Sequence, residues 1–240
     1  MNEIIKRKKC LLIVIIVCEL LGTLLRVTYI LRNPVEPRDS YQYKNVIFRW
    51  DDQNVLPEEN NGILSLWLLK IPHHLFDYDI LYSGSMINTA LSFCIILLTI
   101  TNFFELFGRI YPSLIAGIIV STHPQLIKYS VALLRENSYL LLSILFLQHL
   151  IRYYRVPQMH QVIVLGIISA TTVLCRLEGF EFAVISAFFL LFGKNCSFKN
   201  KLVRIASFFA IYIVTLSVIM YSLNINPLFV DYLSKKMILK

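Results

Sequence analysis

The sequence reads CLLIVIIVCELLGTLLRVTYIL from Cys10 to Leu31, and four basic residues, 6–9, stand directly before it. A helix that crosses the hydrocarbon core of a bilayer needs roughly 20 apolar residues, within a range of about 17–25. The basic start is similar to that of a signal peptide, but the apolar run is too long and no small-residue cleavage site closes a short core. The stretch therefore predicts an uncleaved first transmembrane helix.

Composition extends this interpretation to the whole chain. The protein has 240 residues, of which 57% are hydrophobic and only 16% are charged, a balance that is rare in soluble domains. Its net charge is +8, but the bases cluster at the ends of apolar runs, so we predict a lipid bilayer and no nucleic acid as partner. The five cysteines lie in or beside apolar runs without a CxxC pattern, which favours buried free thiols over disulfides or a zinc site.

The apolar runs predict an all-α polytopic membrane protein, a single module over residues 1–240 with about seven transmembrane helices. The run 110–151 would form roughly 63 Å of helix at 1.5 Å per residue, so it must hold two crossings, with a break near His123-Pro124. A second pair breaks at Arg176-Leu177-Glu178-Gly179. The predicted spans are Cys10–Leu31, Leu81–Thr101, Ile110–Thr122, Asn137–Ile151, two helices within Gln161–Leu191, and Leu202–Leu223.

Two charges lie inside the first span, Glu19 and Arg26, seven residues apart and therefore on one face. We expect Arg26 to snorkel toward the outer end of the helix. Glu19 is nearer the middle, where we expect a protonated or hydrogen-bonded packing residue.

The segment Arg32–Asp79 is the one long polar stretch and predicts a first outer loop. Within it, Ile63–Leu69 is apolar but too short to span, which indicates a short interfacial helix. Prolines 34 and 37 stiffen the chain that leads to Asp39.

Charge counts predict the orientation. The N-terminus and the loops predicted to lie on its side of the membrane carry eleven bases and two acids, whereas the first loop carries five bases and eight acids. Because cytoplasmic loops carry the excess of Lys and Arg, we expect the N-terminus in the cytoplasm, with the first loop and the C-terminal tail, 224–240, outside.

On this topology, charged side chains from three segments collect at the outer face. Guanidinium groups suit a phosphate through forked hydrogen bonds, and a carboxylate suits a general base. The alternative is that these charges pair with one another and only serve packing. The pairs Asp51-Asp52 and Glu58-Glu59 are interpreted as solvated faces.

The sequence resembles the GT-C glycosyltransferases that use lipid-phosphate sugars, in particular the protein O-mannosyltransferase and aminoarabinose transferase branch. The likeness extends over residues 5–225 and rests on four short motifs in order. These are Arg38-Asp39-Ser40-Tyr41-Gln42-Tyr43 after the first helix, Asn60-Asn61-Gly62-Ile63-Leu64, His123-Pro124 with Arg135-Glu136-Asn137, and Arg176-Leu177-Glu178-Gly179.

The resemblance implies inverting transfer of a sugar from a polyprenyl-phosphate donor to an extracytoplasmic acceptor, which is a lipid, a glycan or a protein. It implies Asp39 as the base and Arg135, Arg176, Lys128 and Lys70 as ligands of the donor phosphate. Supporting roles fall to Arg38, Tyr41, Tyr43, His123, Glu136 and Glu178. We expect no metal and no cofactor.

Two departures from the family pattern keep an alternative open. The second motif lacks the family's Pro-Pro-Leu-like element, and the chain ends soon after the seventh predicted helix, where family members continue. The alternative is a non-catalytic membrane transporter or scaffold, or a truncated, inactive GT-C relative. Glycine is scarce, at eight residues, and no repeat is evident, which disfavours a transporter.

Overall fold

The structure, a computed structural model, describes residues 2–32, 38–53, 62–192 and 197–223, with side chains from residue 9 in the first range and up to residue 50 in the second. Residues 34–37, Asn60, Asn61, the tail 224–240 and the side chains of the acidic pairs at 51–52 and 58–59 lie outside these ranges. Every regular element described is helical, as predicted. The helices are α1 (Asn2–Arg32), α2 (Arg38–Gln53), α3 (Ile63–Leu69), α4 (Ile71–Phe76), α5 (Ile80–Phe107), α6 (Ile110–Thr122), α7 (Pro124–Ser130), α8 (Glu136–Arg155), α9 (Met159–Cys175), α10 (Phe180–Phe192) and α11 (Phe198–Ser222), with a 3₁₀ turn at Leu177–Gly179.

The number of membrane spans is smaller than the sequence predicts. Within the described ranges, three helices are long and apolar enough to cross a bilayer: Lys9–Arg32, Ile80–Phe107 and Phe198–Ser222. The pair α6 and α7 meets at a 60° bend and makes a fourth if it counts as one broken span. The prediction of seven is therefore wrong as a count of full-length spans. Both α6 and α10 have 13 residues and α9 has 17, while α8 carries charge at both ends.

The helices form a chain of neighbours. Helix α1 packs on α6, α6 on α5, α5 on α8, α8 on α9, and α9 on α11. One apolar core joins α1, α5 and α6 around Cys18 and Ile100, and another joins α8 to α11 around Phe208. The turn between α5 and α6 is tight because Gly108 adopts φ 64°, which glycine accepts without strain. Helices α5 and α8 connect the two cores.

Arg26 corrects one expectation. Its side chain is 2% exposed and does not snorkel. Its Nε donates to Ser92 Oγ at 3.0 Å, and its Nη1 donates to the carbonyl of Gly22 at 2.8 Å. A Cβ at Gly22 would lie 2.7 Å from Nη1, so the missing side chain of that glycine makes room for the guanidinium. The guanidinium therefore binds acceptors inside the protein, on α1 and α5, and not water at the membrane surface.

Both predicted helix breaks are confirmed. Helix α6 ends at Thr122 and α7 begins at Pro124, while α9 ends at Cys175, directly before Arg176. The first outer loop differs from expectation because its acidic motif begins a 16-residue helix, α2. Helix α5 is longer than the predicted span Leu81–Thr101, since it continues to Phe107.

Candidate functional site

The segment between α7 and α8 carries Arg135, and side chains of α5 hold this segment in place through hydrogen bonds. Asn88 on α5 is fully buried, and its side-chain amide donates to the carbonyls of Ala132 at 2.6 Å and Leu134 at 2.7 Å. Thr89 donates to the carbonyl of Ser130 at 2.9 Å. Non-helical backbone inside a helical membrane protein needs such donors, because each unsatisfied buried carbonyl is costly. These bonds fix the turn from which Arg135 projects.

A glycine on the same helix lets this turn approach α5 closely. A Cβ built at Gly84 would lie 2.1 Å from Cδ1 of Leu133, which is fully buried. No side chain fits at position 84 without displacing Leu133. Gly84 and Asn88 are one helical turn apart, so one face of α5 positions the whole turn.

Arg135 lies where three of the four motif segments meet. Its guanidinium carbon is 5.7 Å from the centroid of the Tyr43 ring on α2, within the range of a cation–π contact. A Cβ at Gly62 would lie 3.0 Å from Arg135 Cδ and 2.8 Å from the carbonyl oxygen of Cys175. Gly62 adopts φ 152°, a conformation that L side chains rarely accept. The described end of the second motif therefore touches the turn before α8 and the end of α9.

Arg176 occupies the second break and makes several contacts. Its Nη1 is 3.5 Å from Glu136 Oε1, and its Nη2 is 3.3 Å from Glu178 Oε1. Its guanidinium carbon is 5.5 Å from the Tyr139 ring centroid. The hydrogen bond from Arg176 lowers the pKa of the Glu178 carboxyl, and the same bond raises the pKa of Arg176. Both groups stay charged at neutral pH.

Tyr43 is the group on which the charges of this site converge. Burial raises the pKa of its hydroxyl, with smaller effects from Arg135, Glu136, Asp39 and Arg176. The two arginines lower that pKa and the two carboxylates raise it, so all four groups lie within electrostatic reach of one phenol. The phenol remains neutral at neutral pH and keeps its proton for donation.

The other predicted site residues lie further out. Asp39 is exposed in the first turn of α2, one turn before Tyr43. Arg38 and Tyr41 are exposed on the same helix, and His123 and Lys128 are exposed on or beside α7. Lys70 is 7% exposed, with its Nζ 4.2 Å from the Trp50 ring centroid. It stands eight residues beyond Gly62, at the far end of α3 and roughly 12 Å along that helix. The core of the cluster is therefore Tyr43, Arg135, Glu136 and Arg176, with Glu178 at its edge.

Sequence reasoning missed the residues that support this cluster. Asn88 and Gly84 interrupt a largely apolar span, and a polar amide within such a helix is the sequence signal that could have identified Asn88. Tyr139 lies one turn after Arg135 and carried no signal beyond its spacing.

We compared the chain with known protein families, curated proteins and solved structures. No protein-family model, no curated protein and no solved structure matches the chain.

Proposed function

We propose that this protein is a membrane glycosyltransferase that moves a sugar from a polyprenyl-phosphate donor to an acceptor outside the cytoplasm. The proposal places the cluster around Tyr43 at the extracytoplasmic end of a helical module and the N-terminus in the cytoplasm. The charge asymmetry of the sequence supports this orientation.

The observation that carries the proposal is the meeting of separate motif segments at Arg135. Tyr43 of the first motif and Gly62 of the second approach this side chain, and Gly62 also lies against the carbonyl of Cys175, beside the fourth motif. An arginine held against an aromatic face presents its fork in a fixed orientation, which suits a phosphate.

The proposed reaction is a single inverting displacement. An acceptor hydroxyl attacks the anomeric carbon, a new C–O bond forms there, and the bond from that carbon to the phosphate oxygen breaks. The acceptor proton moves to the carboxylate of Asp39, and the bonding electron pair leaves with the polyprenyl phosphate. Arg135 and Arg176 stabilise the negative charge that grows on the leaving phosphate.

A second candidate is a non-catalytic scaffold, and one observation favours it. Arg176 already contacts two carboxylates, Glu136 and Glu178, which lessens its need for a phosphate. On this account the charges hold α8 against the break after α9 and bind nothing else.

Asp39→Asn tests the proposal, because the amide keeps the shape of the side chain but cannot accept a proton as a base. We expect the variant to insert and to bind a fluorescent polyprenyl phosphate as the wild type does. We expect it to lose sugar transfer to envelope glycans, by about a hundredfold or more, as for removal of a general base. Asp77→Asn, at the end of α4, is the matched control and should retain transfer. Equal glycan profiles in wild type and Asp39→Asn would refute the catalytic proposal.

A further inference from the structure

The end of the helices that lies away from the Arg135 cluster carries a second group of charged side chains, mostly basic, which the proposed reaction does not use. Helices α5 and α8 both end there, and their ends are adjacent, since Arg152 near the end of α8 binds Glu105 near the end of α5. Arg155 also reaches back to α5 and donates to the carbonyl of Leu106 at 3.1 Å. Helix α8 has 20 residues, so this end is about 30 Å from Arg135.

The start of α11 is fixed to this same end. Arg204 Nη2 donates to the carbonyl of Pro157 at 2.9 Å, and its Nη1 donates to the hydroxyl of Tyr153 at 3.0 Å. These bonds bring Lys199 and Lys201, in the first turn of α11, beside the connection from α8 to α9. We call the resulting surface the basic rim; its members are Lys9, Arg109, Arg155, Lys199, Lys201 and Arg204.

The basic rim has a large excess of positive charge. Across residues 9–32, 62–192 and 197–223, the carboxylate at this end is Glu105, and Arg152 engages it. No ion pair joins Arg109, Lys199 or Lys201 to a described carboxylate. A positive surface of this kind attracts anions from its surroundings.

Exposed apolar side chains surround these cations and indicate the kind of anion. Phe198 is 68% exposed at the start of α11, directly beside Lys199, and Leu202 and Val203 are about half exposed one turn later. Val156, in the connection from α8 to α9, is 56% exposed. Free phosphate offers nothing to such side chains, whereas a phospholipid satisfies both the charges and the apolar surface.

We propose that the basic rim binds anionic phospholipid headgroups of the leaflet that faces it, with Lys199, Lys201 and Arg109 as the principal phosphate contacts. The rim selects anionic over zwitterionic lipid by charge, and the apolar side chains around it take the start of the acyl chains. This lipid contact is independent of the sugar-transfer reaction at the other end.

The test uses the full chain in a neutral detergent, with thermal unfolding followed as phosphatidylglycerol is added. A ligand that binds only the folded state raises Tm with its concentration. We expect phosphatidylglycerol to raise Tm, phosphatidylcholine and inorganic phosphate to do so far less, and added salt to weaken the effect. A rise of equal size with phosphatidylcholine, or with inorganic phosphate alone, would overturn the proposal.

Lys199→Gln with Lys201→Gln removes one exposed and one half-buried rim charge, and neither residue belongs to an apolar core. Each basic residue near an anionic surface is worth about fivefold in binding, so the double variant should bind phosphatidylglycerol about 25-fold more weakly. Arg32→Gln with Arg49→Gln removes two exposed charges at the other end and should leave the lipid effect intact. Native mass spectrometry of bound lipid gives a second readout. Equal losses in both double variants would show a general charge effect and contradict a specific rim.

Discussion

The guanidinium carbon of Arg135 lies 5.7 Å from the centre of the Tyr43 ring, and this contact joins α2 to the turn before α8. It links two motifs that are more than ninety residues apart in the chain. The ring restricts the guanidinium, and the account of the site depends on that restriction.

Tyr43→Leu removes the aromatic face and keeps an apolar side chain. A cation–π contact of this kind contributes about 1 kcal/mol, so binding of a fluorescent polyprenyl phosphate should weaken about fivefold. Tyr43→Phe keeps the ring and should bind nearly as well as the wild type. A Phe variant as weak as the Leu variant would assign the effect to the hydroxyl instead of the ring.

Asn88→Leu removes the amide that supports the Arg135 turn. The buried carbonyl of Leu134 then loses a donor, and the folded state should lose about 2 kcal/mol, measured as a lower Tm in detergent. Asn102→Leu is the matched control. Its amide donates to Ile144, a carbonyl within α8, so its loss should cost less. Equal losses in both variants would contradict the special role of the turn.

Glu178→Gln distinguishes a phosphate site from a packing site. Removing this carboxylate releases Arg176 from one partner and leaves Glu136 as the other. If Arg176 binds phosphate, the variant should bind polyprenyl phosphate severalfold more tightly, because competition for its donors falls. A scaffold predicts lower stability and unchanged lipid binding, and this outcome would favour the second candidate.

Asp79 provides a test of pH dependence outside the cluster. Its Oδ1 pairs with Lys44 Nζ at 2.9 Å, and its Oδ2 accepts from the backbone N–H of Leu81 at the start of α5. The bond from Lys44 holds the pKa of this carboxyl below its ordinary value of 3.8. The resulting stabilisation is therefore complete above that ordinary value and is lost as pH falls through the lowered one.

Asp79→Asn keeps a good helix cap and removes the charge. Because the pair is exposed, it contributes only about 0.5 kcal/mol at neutral pH. The Tm difference between wild type and variant should be small at neutral pH and should vanish as the pH falls through the lowered pKa of the wild-type carboxyl. A difference that persists in acid would show that the charge is not its cause.

The sequence predicts the helices better than their assembly. Apolar run length identifies the apolar helices but not the polar helix α2, and Pro124 and the polar residues at 176–179 mark both breaks, since local chemistry determines these features. Arg26 could not be placed from its own position. Its burial depends on Ser92, which lies 66 residues away, and on the space left at Gly22.

The candidate site shows the same division. The family resemblance implied Arg135 and Arg176, and both lie within electrostatic reach of Tyr43. It also implied Lys70, whose place under Trp50 follows from how α2 packs on α3 and is not encoded locally. Asn88 holds the turn through contacts 44 and 46 residues distant, which no local pattern reveals.

The most direct test of the central claim is the affinity of the purified protein for a fluorescent polyprenyl phosphate after Arg135→Gln. Loss of a charge-assisted contact with phosphate should weaken binding by about 10- to 100-fold, while Arg32→Gln, an exposed charge change at the end of α1, should leave it unchanged. Equal affinity in Arg135→Gln and the wild type would contradict the claim that Arg135 binds the donor phosphate.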